Sequence, residues 1–403
     1  MKKFNIPEYY KSPVISKLKA KRKLEDPRKQ DFSPSSISFH NVEFVISRHF
    51  GFCFGVENAI EKSYDAIQSN PDKKIYLLSQ MIHNPEVNND LYSQGVRFIQ
   101  DTEGKQLISW DEINSDDIVI IPAFGTTIET SAILEKKGID GVTFNTTCPF
   151  VEKVWNRSKT LGENAYTVIV HGKYSHEETK ATFSHSQQQS PTIIVRDISE
   201  TQHIIDYING EISSDKLLQL FKGKYSDNFN PEKDLNRIGV VNQTTMLASE
   251  TQEIADLFKT TLIAKFGESE LKNHFADTRD TLCYATNDNQ SATLELMNTT
   301  ADLAIVVGGY NSSNTTHLVE LLQQKFKTFF IKNESEIISK DHIRSFNIET
   351  KKLEELKFFL PQKEKLKIII TSGASCPDSA VDKVMQKIMY ILGTPLVESD
   401  FDI

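Results

Sequence analysis

Cys53, Cys148, Cys283 and Cys376 are the residues of this chain best suited to hold a soft metal. They stand in "GFCFGV", "TTCPFV", "DTLCYAT" and "GASCPD", separated by 95, 135 and 93 positions. Each falls where an apolar run gives way to a helical pattern. An isolated cysteine is ordinarily a small buried hydrophobe. Structural zinc favours closely paired ligands such as C-x-x-C, and the chain has no such pair. An iron–sulfur cluster also takes thiolates and needs no short spacing when separate modules each present one. Thiolate softness admits either metal, so cluster, zinc and no metal all stay open on the residues alone.

Polar residues follow the cysteines at a regular interval. His83 comes 30 positions after Cys53, His176 comes 28 after Cys148, and Asn314 comes 31 after Cys283. Each sits just past an apolar run. A second run in each stretch ends in "AFGTT" (with Thr126 and Thr127), "VNQTT" (with Gln243, Thr244 and Thr245) or "TSGAS" (with Ser375). Ligands of parallel sheets bind beyond the carboxyl ends of the strands, so these loops are expected to face one pocket. It would be walled also by Glu178, Ser312 and Ser313. Glu177 is expected to face solvent. Ser and Thr at such places also commonly cap the next helix.

The elements that must position these loops read clearly. "IYLLS", "DIVIIPAFG", "YTVIVHG", "PTIIVRD", "RIGVVNQ", "ADLAIVVGG", "KTFFIKN" and "LKIIITSG" are continuous β-branched runs of the kind found in covered parallel strands. Helical spacing fills the intervals, which predicts an α/β protein. Three repeats of thiol plus two polar loops predict three α/β modules, over residues 42–147, 148–282 and 283–403. Residues 198–233 are expected to be a peripheral insertion in the second.

Residues 1–41 differ. They are rich in Lys and Arg with little periodicity, and are expected to form a flexible basic arm. The whole chain of 403 residues carries a formal charge of −9, which argues against nucleic acid as partner. No run of eighteen apolar residues suggests a membrane span. Few cysteines and no signal-peptide pattern favour a reducing cytoplasm.

Taken in order, "GFCFGV", "HN" at 83–84, "TTCPFV", "H-x-E" at 176–178, "NQTT" at 242–245, "DTLCYAT", "NSSN" at 311–314 and "GAS" at 373–375 resemble the motifs of the 4-hydroxy-3-methylbut-2-enyl diphosphate reductases. The resemblance runs from about residue 43 to about 385. It implies a trefoil of three pseudo-symmetric α/β modules around a central cavity. It also implies one [4Fe-4S] cluster on Cys53, Cys148 and Cys283, with one iron open to the substrate's C4 oxygen. His83, His176, Ser312, Asn314 and Ser375 match residues that hold the substrate diphosphate, with Ser313 in the same run. Glu178 matches a proton-relay carboxylate, supplying protons through Thr244 or the diphosphate itself. Thr244 matches a threonine beside the substrate hydroxyl, and His176 is counted among the catalytic residues as well. The implied reaction gives isopentenyl and dimethylallyl diphosphate, with electrons from ferredoxin or flavodoxin, in a monomer or weak dimer. The basic arm lies outside the resemblance; its charge suits an acidic donor. Cys376 is expected to pack behind its loop rather than to ligate. Rival readings are a zinc hydrolase of phosphorylated substrates and a non-enzymatic cluster sensor.

Overall fold

The computed structural model describes residues 4–276 and 281–394. It is an α/β protein with mostly parallel sheets, built as two compact units. The first comprises Met1–Glu57, His83–Val87 and Tyr284–Ile403; the second comprises Asn58–Ile82 and Asn88–Cys283.

In the first unit five strands pair in the order β1 (Ser35–Phe39), β2 (Val42–Ile46), β14 (Leu366–Ser372), β10 (Leu303–Val307) and β11 (Thr328–Ile331). All pairs are parallel except β1 with β2. β10 is buried at every position, which is why its sequence is a continuous apolar run rather than an alternating one. Helices α12 (Tyr284–Leu296), α13 (Ser313–Gln323) and α14 (Asp378–Ile391) belong to this unit. An antiparallel hairpin, β12 (His342–Asn347) with β13 (Lys352–Lys357), is added to it. Its charged, half-exposed strands carry too weak an apolar signal to read from sequence.

The second unit holds two parallel sheets. One has the order β4 (Arg97–Phe98), β3 (Ile75–Leu77), β5 (Ile118–Ile120). The other has the order β7 (Thr192–Val195), β6 (Thr167–His171), β8 (Ile238–Asn242), β9 (Phe275–Ala276). Its helices are α4 (Ile128–Lys136), α5 (Pro149–Glu163), α6 (Glu177–Gln187), α7 (Ile198–Ile208), α8 (Ser214–Leu220), α9 (Pro231–Asp234), α10 (Ala248–Phe266) and α11 (Leu271–His274). Helices α2 (Phe54–Ser69) and α3 (Pro85–Ser93) complete the chain.

All eight strands expected from apolar runs are present. Two expectations need correction. Residues 4–41 are no flexible arm: they form α1 (Pro13–Glu25) and β1. Val14, Ile15, Leu18 and Arg22 fall on one buried face, while Lys17, Lys21 and Lys23 lie exposed. The charges that suggested disorder are therefore the outer face of an amphipathic helix. The inner face is pinned by polar contacts. Ser12 Oγ caps α1 and donates to Asp382 at 2.7 Å, and the Arg22 guanidinium donates to the carbonyls of Ile46, Ser47 and Arg48 at 3.0, 2.8 and 2.9 Å. Residues 198–233 are also more than an outer decoration. Ile204, Ile205, Leu217, Phe221 and Phe229 join the buried cluster under the second sheet.

Candidate active site

The predicted site residues stand in loops that lead into helices or in the first turn of those helices: Glu178 opens α6, Ser313 and Asn314 open α13, and Cys148 lies between α4 and α5. In the first unit the Cys53 amide donates to the Ala374 carbonyl at 3.1 Å, and the Cys53 carbonyl accepts from Glu57 as α2 begins. The Ser375 hydroxyl donates to the His83 carbonyl at 3.2 Å, and Asn84 Nδ2 donates to the Ser375 carbonyl at 2.9 Å. Asn84 Oδ1 in turn accepts from the amides of Glu86 and Val87. With Pro85 at the first helical position, this is an N-cap that fixes the turn presenting His83.

The "NSSN" loop packs on the same turn. Asn311 Nδ2 lies 3.1 Å from His83 Nδ1, a contact in which the amide is the donor. A Cβ on Gly309 would fall 2.3 Å from the His83 carbonyl oxygen; only glycine allows this approach. Ser312 caps α13, accepting from the Thr315 amide at 3.3 Å. Asn314, 3% exposed, uses Oδ1 to accept from the Ala374 amide at 3.1 Å and from Asn289 at 3.3 Å. Its Nδ2 is buried and has no hydrogen-bond partner among the described residues. An orphaned donor at a helix N-terminus, beside Ser312 and Ser313, fits an anion.

Cys376 adjoins this loop but belongs to the core, fully buried with Val381 and Val384, and burial pushes its thiol far up. It packs behind the loop as expected.

In the second unit Cys148 caps α5 by backbone only, with no side-chain capping bond, and its amide donates to Ala123 at 3.0 Å. Burial pushes its thiol up to about 12, and the neighbouring Cys283 and Glu178 push in the same direction. Such a thiol ionises only when a cation replaces its proton. The Cys283 amide donates to the Thr244 carbonyl at 3.4 Å. All four cysteines are thiols. Among the described residues no three His, Cys, Asp or Glu side chains stand close enough to hold a single metal ion. Cys53, Cys148 and Cys283 are partly buried and Cys376 is fully buried; thiols are the donors that an iron–sulfur cluster takes.

His176 caps α6 with its ring: Nδ1 accepts from the Glu178 amide at 3.2 Å. Glu178 is 1% exposed, and its Oε1 lies 2.5 Å from the Thr244 amide nitrogen. Burial raises its carboxyl to about 7, against the lowering effect of the Thr244 bonds. Gln243 holds the loop in place, accepting at Oε1 from the Lys173 amide and the Thr179 hydroxyl and donating from Nε2 to Thr245. Thr127 caps α4, and the Thr126 carbonyl lies 3.2 Å from His185 Nε2. Glu177 departs from the expectation that it faces solvent. Burial raises its carboxyl to about 8, its Oε2 is a buried acceptor without a partner among the described residues, and Ser79 bonds its side chain. Its charge class hid this.

The sequence model of the LytB protein family matches residues 44–389. The chain belongs to the LytB protein family. The 4-hydroxy-3-methylbut-2-enyl diphosphate reductase of Crocosphaera subtropica is 39% identical over 349 residues, 86% of this chain and 84% of that protein. The protein of the same name from Gloeothece citriformis is 40% identical over 352 residues, 87% of this chain and 85% of its own. Among solved structures, the E-1-hydroxy-2-methyl-but-2-enyl-4-diphosphate reductase of Plasmodium falciparum has a TM-score of 0.60 at 22% identity, covering 87% of this chain and 89% of that one. That likeness is one of fold. Among the described residues no helix is long and apolar enough to cross a membrane.

Proposed function

We propose that the chain is a 4-hydroxy-3-methylbut-2-enyl diphosphate reductase. The allylic alcohol loses its C4 hydroxyl, takes up two electrons and two protons, and becomes isopentenyl or dimethylallyl diphosphate plus water. Family membership and the names of the relatives support the reaction. Within the molecule, the observation that carries the reading is Glu178, a buried acid near neutrality held on Thr244 and felt by Cys148.

Cys53, Cys148 and Cys283 would hold a [4Fe-4S] cluster. When bound, it supplies single electrons and a Lewis-acidic corner. Ser312, Ser313 and Asn314 bind the diphosphate from the start of α13, joined by His83, His176 and Ser375. Anchoring so small a substrate at one end orients the other, and orientation is worth several kcal/mol. Thr244 lies beside the substrate hydroxyl. Hydroxide is a poor leaving group, so Glu178, protonated up to about neutral pH, gives the proton that lets the oxygen depart as water. Ferredoxin or flavodoxin supplies the electrons, and the chain works as a monomer or weak dimer in the cytoplasm, with residues 42–147, 148–282 and 283–403 as its three modules.

The test is anaerobic turnover of the hydroxylated diphosphate with a chemical reductant, the products resolved by chromatography. Both isoprenoid diphosphates are expected. A phosphate-releasing hydrolysis instead would establish the zinc-hydrolase reading.

A further inference from the structure

Resting on the reductase reading, we propose that the basic face of α1 and the loop after it is the docking surface for an acidic one-electron carrier protein, which delivers its electrons beside Cys53.

The chain is acidic overall, yet Lys17, Lys21, Lys23, Arg28 and Lys29 are all exposed within one short segment. That segment overhangs a cleft of about 250 Å³ whose lining includes Lys23, Lys29, His49, Phe52, Cys53 and Tyr284. Other cations of the cleft are already occupied. Lys19 pairs with Asp378 at 2.7 Å, Arg22 is spent on backbone carbonyls, and Arg48 faces Asp26 and Asp31 at 3.8 and 3.5 Å. Asp288 stands 4.0 Å from His49. Glu25 is the remaining exposed acid on the helix. Lys23 has no carboxylate partner in any of these pairs, and Lys29 acts on Asp288, the acid of the cleft wall. The positive field is felt locally: His49 is pushed down to about 4, first by burial and then by Lys29, Arg22 and Arg48.

The segment and the cleft also expose apolar surface. Leu24 is 85% exposed and Tyr284 36%; Lys29 Nζ lies 5.8 Å from the Tyr284 ring centroid. Tyr284 leads inward, because its hydroxyl accepts from the Phe54 amide at 3.0 Å, next to Cys53. Charge complementarity steers a transient partner and fixes its orientation without binding it tightly. Each visit gives one electron and leaves the carrier oxidised. Two visits supply the pair that C–O cleavage consumes.

The experiment uses the full chain, loaded with iron and sulfide anaerobically, and a plant-type ferredoxin as probe. Binding is titrated at low and at physiological salt, and turnover is measured with the ferredoxin and separately with dithionite and methyl viologen. Lys23→Glu with Lys29→Glu is compared with Lys352→Glu and Lys357→Glu on the hairpin, which carry the same total charge change. The α1 variant should bind ferredoxin at least roughly tenfold more weakly at low salt, with a flatter salt dependence and matching loss of ferredoxin-driven turnover. Its dithionite-driven turnover and the hairpin variant's binding should equal wild type. Equal binding by wild type and the α1 variant overturns the docking proposal, as does equal weakening by the hairpin variant. Absence of dithionite-driven turnover in the wild type overturns the reductase reading itself, and the docking proposal with it.

Discussion

The Glu178 carboxylate accepts from the Thr244 backbone amide at 2.5 Å, and the Thr244 carbonyl in turn accepts from the Cys283 amide. One residue of the "NQTT" loop thus touches both the candidate acid and the loop of a candidate ligand. On the proposed reading, this one turn would link the proton donor to a ligand of the cluster.

Replacing Glu178 with Gln keeps the shape and an acceptor while removing the proton. Turnover should fall roughly 100- to 10,000-fold, with the visible spectrum of the loaded protein unchanged. Retained turnover would remove Glu178 from the relay.

The same carboxyl sets a pH dependence of stability in the metal-free chain. Its pKa is raised from 4.5 to about 7 in the folded state. Below 4.5 both states are protonated and no penalty arises. Between 4.5 and 7 the unfolded chain releases a proton that the folded chain keeps, so stability falls as pH rises, by about 3 kcal/mol in all. Above 7 the loss is complete. Urea midpoints at pH 5 and 8 should therefore differ less in Glu178→Gln than in wild type, with Glu177 contributing a residual slope in the same direction.

Asn314→Asp separates structure from substrate binding. The variant keeps the Oδ1 acceptor that holds Ala374 but loses the orphaned donor and adds a negative charge. The KM for the diphosphate should rise roughly 10- to 100-fold, since hydrogen bonds to charged groups are worth about 1.5–3 kcal/mol. The added buried carboxylate also lowers thermal stability, so KM is compared where the variant is fully folded, which keeps the two effects apart.

Arg22→Met tests the N-terminal helix as part of the fold. It leaves three backbone carbonyls without their donor. The expected cost is about 3 kcal/mol or more, at a rate of 1–3 kcal/mol for each group left unsatisfied, read as a lower urea midpoint.

The sequence announced the strands because burial on both faces writes itself as unbroken apolar runs, as in "LAIVV" and "TVIVH". It announced that Cys148, His176 and Ser312 stand where helices begin, because each follows a non-helical stretch and precedes helical spacing. Less was legible where one signal masked another. The lysines of α1 hid the Val14–Leu18–Arg22 face, and the charge of Glu177 hid its burial. Gly309 gave no sign that the His83 carbonyl lies against it, because that contact joins residues more than two hundred positions apart. Tyr284 stood beside Cys283 in the sequence without revealing that its hydroxyl meets the Phe54 amide.

The cysteines carry the central claim, and the iron, acid-labile sulfide and zinc content of the anaerobically prepared protein tests it most directly. Wild type and Cys376→Ala should hold iron and sulfide in equal amounts, and Cys53→Ala, Cys148→Ala and Cys283→Ala should each lose them. A wild-type protein containing zinc and no sulfide, or a cluster that survives loss of Cys148, would contradict the account.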